Sequence, residues 1–318
     1  MGHLRSVDII HDSLVSCIGT TPIVALDRLF PQDDVEVLAK LEFLNPGGSV
    51  KDRPARYIIE RGLASGEITS ETTLVESTSG NMGVALAMVA KIHGIRFIAV
   101  VDPNVVQANL AIIRYLGARV EMVTEHDQNG GYLGTRIARV HELLREEPGA
   151  LWINQYENSL NRDSHYYGTG EEIVSSLDRP VDCLVVAVST TGTIMGVARR
   201  LRRAYPKMRV VAVDSIGSII FGGPPTTRRF PGIGSSRRPG LLNFAEIDRV
   251  VHVSEEEMVK GCRDLLREEA ILAGASSGSV IAGIRRLLPV LPTPVRVMTL
   301  LPDRGERYLD SVYLDAGV

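Results

Sequence analysis

Hydrophobic positions along the chain follow two patterns: short apolar runs, and longer segments in which apolar residues recur every three or four positions. The short runs are typical of buried β-strands, and the longer segments are typical of amphipathic helices. We predict strands at Val35–Glu42, Thr73–Glu76, Phe97–Val101, Val120–Val123, Cys183–Val188, Val210–Val213 and Val295–Leu300. We predict helices at Arg53–Ala64, Met82–His93, Gln107–Leu116, Tyr132–Glu146, His165–Leu177, Ile194–Ala204, Glu255–Glu269 and Ser279–Leu287.

Strands and helices alternate along most of the chain, which favours parallel sheets covered by helices on both faces. There are too many such units for one comfortable open sheet, and 318 residues can bury two ordinary cores. We therefore predict an α/β protein with two sheets. The longest irregular segment, Ser215–Ala245, holds four arginines beside glycine and proline. A loop of this length either meets an anionic ligand or is a solvated surface loop.

Charge and composition narrow the class of protein. The formal net charge of −3 gives no reason to expect nucleic acid or an acidic membrane as partner. The N-terminus has acidic residues and no long apolar core, and no segment approaches the ~20 apolar residues of a membrane helix. Cys17, Cys183 and Cys262 lack metal-ligand or disulfide spacing, so we interpret them as buried thiols and predict no metal site. We expect a soluble cytoplasmic protein.

A lysine with unusual surroundings is the first chemical candidate. Lysine occurs at five positions only, Lys40, Lys51, Lys91, Lys207 and Lys260. Lys51 follows a Pro-Gly-Gly turn and precedes helix-forming residues, so it lies beside the free N–H groups of a helix start. That partial positive charge and burial in a cleft both lower an amine pKa, as a nucleophilic lysine needs. A solvent-exposed lysine near a helix start is the alternative.

Three turns rich in small polar residues precede predicted helices. They are Glu76–Gly83, Ser189–Thr193 and Gly274–Ser279. Free N–H groups and hydroxyls at a helix start bind phosphate or carboxylate, whereas an ordinary helix cap needs a single Ser or Thr. No GxGxxG segment follows a strand, which counts against a dinucleotide enzyme. Together with one lysine, the three turns indicate an anionic cofactor held at several strand ends.

Five motifs carry a family resemblance. NPGGSVKDR (45–53), STSGNMG (77–83), STTGT (189–193), GASSG (274–278) and LPDRGERY (301–308) resemble fold-type II pyridoxal-phosphate enzymes of the cysteine synthase family, collinearly from about Gly19 to Tyr308. The resemblance implies a tryptophan synthase β-like fold of two three-layer αβα domains. The small domain would span residues 46–155, and the large cofactor-binding domain residues 1–45 and 156–318. The resemblance also implies a homodimer.

The same resemblance implies roles for single residues. Lys51 would carry pyridoxal 5'-phosphate and act as general base. The ring hydroxyl would contact Asn81, and the pyridine nitrogen Ser276. A serine there, rather than a carboxylate, does not keep the ring protonated, which suits β-elimination to a bound aminoacrylate that a second substrate attacks. The phosphate would lie on Ser189, Thr190, Thr191, Gly192 and Thr193, and the substrate α-carboxylate on Thr78, Ser79, the Met82 N–H and Gln155.

Three positions depart from the usual cysteine synthase pattern. The phosphate loop begins with Ser189 instead of glycine, Gln155 is followed by Tyr156 instead of phenylalanine, and the asparagine loop ends with Met82 instead of threonine. The hydroxyls of Ser189 and Tyr156 suit a larger nucleophile than sulfide, one that forms hydrogen bonds. Arg136 has no simple role in sulfide chemistry, and a surface arginine is the alternative interpretation.

These features resemble the branch of the family that makes N-(2-amino-2-carboxyethyl)-L-glutamate from O-phospho-L-serine and L-glutamate, as a source of 2,3-diaminopropionate for siderophores. A leaving phosphate and an entering dicarboxylate need more cations than acetate and sulfide do. A cysteine synthase that uses O-acetylserine or O-phosphoserine with sulfide is the first alternative. An inactive relative that acts as a binding partner is the second. The candidate cations are Arg136, Arg162, Arg228, Arg229, Arg237 and Arg238.

Overall fold

The computed structural model describes residues 10–78, 80–127 and 131–314, which form ten strands and nine α-helices. The strands are β1 (Ile23–Ala25), β2 (Val35–Leu41), β3 (Thr73–Ser77), β4 (Arg96–Val101), β5 (Arg119–Met122), β6 (Ala150–Trp152), β7 (Cys183–Ala187), β8 (Arg209–Ser215), β9 (Arg249–Val253) and β10 (Val295–Leu301). The helices are α1 (Asp52–Ser65), α2 (Asn81–Ile92), α3 (Gln107–Tyr115), α4 (Leu133–Glu146), α5 (Ser159–Ser164), α6 (Glu171–Ser176), α7 (Gly192–Ala204), α8 (Glu255–Glu269) and α9 (Ala275–Leu287).

The larger sheet has six strands in the order β1-β2-β10-β7-β8-β9. All neighbours are parallel except β1, which pairs antiparallel with β2. Successive residues of β7 pack into two different hydrophobic cores. Leu184 packs with α7 on one face of the sheet, and Val185 packs with α8 and α9 on the other. The sheet is therefore the middle of three layers, as period-2 alternation requires for a strand covered on both faces.

The smaller sheet has four parallel strands in the order β5-β4-β3-β6. Leu74 on one face packs with α1, α2 and α3, and Val75 on the other face packs with α4. The predicted α/β fold with two mainly parallel sheets is confirmed. The domain boundaries at residues 46 and 155 stay a proposal, which the run of the four-stranded sheet from residue 73 to residue 152 supports.

Each predicted strand and helix is present. Among the strands and α-helices of the described residues, four short ones were not predicted: β1, β6, β9 and α5. Two predicted segments need correction. Helix α9 begins at Ala275 instead of Ser279, so the Gly274–Ser279 turn is in fact the first turn of the helix. The predicted helix His165–Leu177 begins with a π-helical segment, His165–Gly170, that continues α5. The prediction of buried thiols is confirmed for Cys183 and Cys262 and is wrong for Cys17, which is exposed. Within the described residues, no helix is both long and apolar enough to cross a membrane.

Small residues explain why α9 starts early. A Cβ on Gly278 would lie 2.0 Å from the Met258 carbonyl oxygen, and one on Gly261 would lie 2.2 Å from the Gly278 carbonyl oxygen. Helices α8 and α9 therefore contact each other backbone to backbone. This close packing outweighs the weak helix propensity of the Ala-Ser-Ser-Gly-Ser run.

Candidate active site

Lys51 is the N-cap residue of α1, directly beside the end of the central strand β10. The Val50 N–H donates to the carbonyl of Pro302 at 2.7 Å, which fixes the lysine to that strand end. Among the described residues, the Lys51 Nζ has no hydrogen-bond partner. Burial lowers the pKa of Lys51, and the negative charges of Asp303 and Glu42 oppose this only in part. The amine is thus partly buried, unpaired and biased toward its nucleophilic neutral form.

One cavity brings together Lys51 and two of the three predicted turns. The Ser189–Thr193 turn lies between β7 and α7, and Ser276 lies in the first turn of α9. The three parts are far apart in sequence and meet at one edge of the six-stranded sheet. The Ser189–Thr193 turn follows the end of β7, whereas Lys51 and the start of α9 are hydrogen bonded to the segment that follows β10, through Val50–Pro302 and Gly274–Asp303. The cavity-lining residues predicted from the sequence are Lys51, Ser189, Thr190, Thr191, Thr193 and Ser276.

The turn before α7 has the form of an anion cradle. Thr191 is its N-cap residue and adopts a left-handed conformation, with φ of 64°, which is uncommon for a residue other than glycine. Its buried Oγ1 has no hydrogen-bond partner within the described residues. The free N–H groups of the first turn of α7 lie beside it. An unsatisfied hydroxyl and free N–H groups at one helix start are the donors that a phosphate accepts.

Two buried residues that the sequence did not single out as functional hold this turn. The Asn161 side chain donates to Thr190 Oγ1 at 3.2 Å and to the Gln155 carbonyl at 2.7 Å. The Nε2 atom of His165 lies 3.2 Å from Thr193 Oγ1. Burial lowers the pKa of His165 well below its usual range, so the ring is neutral. No sequence motif marks either residue, because each contacts the turn from a distant part of the chain.

A Cβ on Gly192 would lie 2.4 Å from the Asn161 Oδ1. Glycine at this position therefore lets Asn161 reach the turn. Similarly, a Cβ on Gly196 would lie 2.6 Å from the His165 Cβ, so this glycine lets α7 approach the π-helical segment. The two glycines set the distance between the turn and its supports.

The loop before α2 has fewer free hydrogen-bonding groups than the turn before α7. The Thr78 Oγ1 accepts a hydrogen bond from the Gly83 N–H at 3.1 Å, so the hydroxyl already caps the helix. The Met82 side chain is buried in the small core, which leaves only its N–H for a ligand. Ser79 lies outside the described residues. The predicted role of this loop in binding the substrate α-carboxylate stays a prediction.

Gln155 lies beside the end of β3. Its Nε2 donates to the Ser77 carbonyl and to Glu76 Oε1, both at 3.4 Å. Burial raises the pKa of Glu76 to about 8, although the Gln155 donors and the charge of Arg136 oppose the increase. Arg136 forms an ion pair with Asp102, with Nε 3.2 Å from Oδ2. These residues form a second polar group at the edge of the four-stranded sheet, apart from the residues that line the Lys51 cavity.

Asn81 joins α2 to the segment that follows β10. Its Nδ2 donates to Asp303 Oδ2 at 2.7 Å, and its Oδ1 accepts from Arg307. Asp303 in turn bridges to Ser49, two residues before Lys51. Asn81 does not line the cavity, but this network ties it to the Lys51 segment.

The arginines of the long loop have different surroundings. The Arg237 guanidinium lies 4.9 Å from the centroid of the Tyr156 ring and pairs with Glu157 at 2.5 Å. Arg228 donates to the Ile233 carbonyl at 3.1 Å and to Ser236 Oγ at 2.8 Å. The other two loop arginines contact aromatic rings away from Tyr156: Arg229 lies over Phe230 and Arg238 over Phe244. Outside the loop, Arg162 on α5 pairs with Asp163.

The described residues fit pyridoxal phosphate. An unpaired amine, a turn with an unsatisfied hydroxyl, and a serine in the first turn of a third helix surround one cavity. These are the groups that would bond the aldehyde carbon, hold the phosphate and contact the ring. The assignment of single residues to these roles stays a proposal.

Comparison with known proteins agrees with this fit. A family model described as pyridoxal-phosphate dependent enzyme matches residues 15–303. N-(2-amino-2-carboxyethyl)-L-glutamate synthase of Ralstonia nicotianae is 58% identical over 95% of this chain and 90% of that protein. The synthase of the same name from Cupriavidus metallidurans is 55% identical over 96% of this chain and 90% of that protein. A crystal structure of O-acetylserine dependent cystathionine β-synthase from Helicobacter pylori matches with a TM-score of 0.90 and 34% identity, over 95% of this chain and 98% of that chain.

The family match spans nearly the whole described chain and includes each of the segments that line the cavity. The fold, the cofactor class and the β-replacement chemistry expected from the sequence agree with these relatives. The chain belongs to the pyridoxal-phosphate-dependent enzymes of fold type II, in the cysteine synthase-like group that catalyses β-replacement.

Proposed function

We propose that this enzyme replaces the phosphate of O-phospho-L-serine by the amino group of L-glutamate, giving N-(2-amino-2-carboxyethyl)-L-glutamate and phosphate. Two relatives that are 58% and 55% identical to this chain over the aligned residues carry the name of this synthase, which supports the proposal. The structural observation that carries it is the Arg237 guanidinium, 4.9 Å from the centroid of the Tyr156 ring.

The surroundings of this contact support a binding site for the second substrate. Arg237 belongs to a loop segment that begins at Gly232, and Gly232 lines the Lys51 cavity. Within this segment, the Gly234 N–H donates to the carbonyl of Val188, the residue directly before the Ser189–Thr193 turn. Tyr156 follows the buried Gln155. A cation and a phenol at this position suit a nucleophile that carries carboxylates, whereas sulfide needs neither. We propose that Arg237, Tyr156 and Ser189 contact the glutamate.

The proposed roles in the first half-reaction follow from the local chemistry. Bound pyridoxal phosphate supplies an electron sink for the bonds of the substrate Cα. Lys51 Nζ holds the cofactor and, once released, takes the proton from the substrate Cα. The substrate α-carboxylate binds at the start of α2. Its ligands there would be Thr78, Ser79, the Met82 N–H and Gln155.

Arg136 is proposed to attract the leaving phosphate or a substrate carboxylate. Its side chain is 12% exposed, and the buried Nε has no aligned hydrogen bond despite the ion pair with Asp102. The side chain therefore keeps donor capacity for a further anion. Its place at the carboxyl edge of the four-stranded sheet is on the same side as Gln155.

An ordinary cysteine synthase is the second candidate. The structural neighbour from Helicobacter pylori is named for dependence on O-acetylserine, which favours acetate as a leaving group in this fold. An inactive binding partner is disfavoured because Lys51, Asn81 and Ser276 are all retained. We further propose a cytoplasmic homodimer that supplies 2,3-diaminopropionate for siderophores, with the small domain closing over the bound substrate.

The decisive test is the mass of the product. The purified holoenzyme is incubated with O-phospho-L-serine and L-glutamate, and both phosphate release and the amino-acid product are measured. We expect the mass of N-(2-amino-2-carboxyethyl)-L-glutamate. When L-aspartate replaces L-glutamate, we expect no corresponding aspartate adduct. Formation of cysteine in preference to the adduct, with millimolar sulfide and glutamate both present, would reject glutamate as nucleophile.

A further inference from the structure

A buried carboxylate lies between two of the residues proposed to contact the cofactor ring. Asp303 directly follows Pro302 at the end of the central strand β10 and is 2% exposed. Its Oδ2 accepts from the Asn81 Nδ2 and the Tyr308 hydroxyl, both at 2.7 Å. Its Oδ1 accepts from the Ser276 hydroxyl at 3.4 Å. One side chain thus connects the starts of α2 and α9.

The contacts fix which way the Asn81 amide faces. A side-chain amide has two N–H donors on one end and an acceptor on the other, and only its partners decide the orientation. Here the anionic Asp303 takes one N–H and the cationic Arg307 donates to Oδ1. The second N–H of Asn81 therefore stays available as a donor. Without the Asp303 carboxylate, only the contact from Arg307 would hold the amide in this orientation.

The contacts also hold the Ser276 side chain in place. Its hydroxyl makes a long contact of 3.4 Å with Asp303 Oδ1, and its single proton can rotate to donate to an unprotonated pyridine nitrogen. The carboxylate reaches Ser276 through the space left by Gly274, where a Cβ would lie 2.2 Å from Asp303 Oδ1. The Gly274 N–H donates to the Asp303 carbonyl at 3.0 Å, which holds the two segments together. Glycine at this position is therefore part of the same arrangement.

We propose that Asp303 is a positioning residue for the cofactor, which sets the amide orientation of Asn81 and holds the Ser276 side chain in place. Burial raises the pKa of Asp303, while the hydrogen bonds from Tyr308 and Asn81 and the charges of Arg307 and Lys51 favour its ionised form. The proposal requires the cofactor site and does not depend on which nucleophile the enzyme uses.

The test compares Asp303→Asn with the matched control Asp310→Asn, an exposed aspartate of the same segment. Each protein is stripped of cofactor and titrated with pyridoxal phosphate, and the absorption and fluorescence spectra of the bound cofactor are recorded. Hydrogen bonds to a charged group are strong enough that we expect Asp303→Asn to weaken cofactor binding by about tenfold to a hundredfold. We also expect its bound cofactor to absorb at a changed wavelength, and Asp310→Asn to match the unmodified enzyme.

A third variant separates positioning from stability. Tyr308→Phe removes one hydrogen bond to Asp303 but keeps the carboxylate with Asn81 and Ser276, so we expect the unmodified spectrum. If Asp303→Asn does not fold, Gly274→Ala displaces the carboxylate without changing it and is measured in its place. Unmodified cofactor affinity and spectrum in the folded Asp303→Asn or Gly274→Ala protein would overturn the proposal.

Discussion

The side-chain amide of Asn161 donates a hydrogen bond of 3.2 Å to the hydroxyl of Thr190 and another of 2.7 Å to the carbonyl of Gln155. It therefore connects the turn proposed to hold the cofactor phosphate with the residue proposed to hold the substrate carboxylate. Asn161 is 2% exposed, so water cannot readily replace these bonds. We therefore expect loss of the Asn161 side chain to affect the binding of both the cofactor phosphate and the substrate carboxylate.

We expect Asn161→Ala to weaken pyridoxal phosphate binding by roughly tenfold, because a lost buried hydrogen bond leaves the Gln155 carbonyl unsatisfied and the cradle less ordered. The KM for the amino-acid substrate should also rise. Equilibrium titration with the cofactor and steady-state kinetics measure the two effects. Asn104→Ala, at an exposed site, is the control, and equal behaviour of the two variants would refute the connecting role of Asn161.

Glu76 predicts a pH dependence of stability. Burial raises its pKa to about 8 from the 4.5 of an ordinary glutamate, so the folded protein holds a proton that the unfolded chain releases between these values. The unfolding free energy should therefore fall as the pH rises from about 4.5 to 8, and change no further from this source above 8. Glutamine does not ionise, so the unfolding free energy of Glu76→Gln should not fall in this way as the pH rises.

The measurement is urea unfolding of the holoenzyme at pH 5 and pH 8. We expect the advantage of Glu76→Gln over the unmodified protein to grow by roughly 2–4 kcal/mol between these two pH values. The exposed Glu67→Gln should show no comparable trend. A constant difference across the range would mean that Glu76 is ionised throughout.

A buried charge network predicts the opposite trend at acid pH. Glu172 pairs with Arg53 at 2.6 Å and with Lys40 at 2.8 Å, which holds the start of α1 and therefore Lys51. Burial alone would raise the pKa of Glu172, but the hydrogen bonds and charges of Arg53 and Lys40 prevail and lower it to about 2. The stabilisation is present above about pH 4.5 and is lost as the pH falls toward 2.

We expect Glu172→Gln to lose about 3 kcal/mol of unfolding free energy at pH 7, and the difference from the unmodified protein to shrink below pH 4.5. The neighbouring Glu171→Gln, which removes a surface pair with Arg200, should lose less than about 1 kcal/mol. Denaturant unfolding across the pH range tests both variants. Equal losses of unfolding free energy in the two variants would show that burial of the network adds nothing to stability.

The choice of nucleophile provides a further prediction. Arg237 lies over Tyr156, whereas the adjacent Arg238 is exposed and lies over Phe244. We expect Arg237→Gln to lower kcat/KM for glutamate by about tenfold to a hundredfold, since a charge-assisted contact with a carboxylate is lost, with phosphate release from O-phosphoserine little changed. Arg238→Gln should be close to unmodified. Similar losses in both variants would place the glutamate site elsewhere.

Strong local signals made much of the fold predictable. The apolar runs of β7 and β10 and the periodic pattern of α8 identified those elements, because burial on both faces or on one stripe fixes the residue types. Elements of three to six residues, such as β1, β6 and α5, carry too few positions for a pattern. The start of α9 was missed because its helical form depends on contact with α8, which only the folded chain shows.

The parts of the site that consist of one short sequence segment were predictable. The residues that contact the site from distant parts of the chain were not. The cavity around Lys51 includes the Ser189–Thr193 turn and Ser276, each recognisable from small polar residues before a helix. Asn161 and Asp303 were not identified, because their partners are 29 and 222 residues away along the chain. Such pairings depend on the crossover topology of the sheets.

The most direct test of the central claim is the position of the covalent bond between enzyme and cofactor. The holoenzyme is reduced with borohydride, digested, and the pyridoxyl-bearing peptide is identified by mass spectrometry, with Lys207→Ala as a control and Lys51→Ala as the informative variant. The account predicts the label on Lys51, retained in Lys207→Ala and absent in Lys51→Ala. A label on any of the other four lysines of the unmodified enzyme would contradict it.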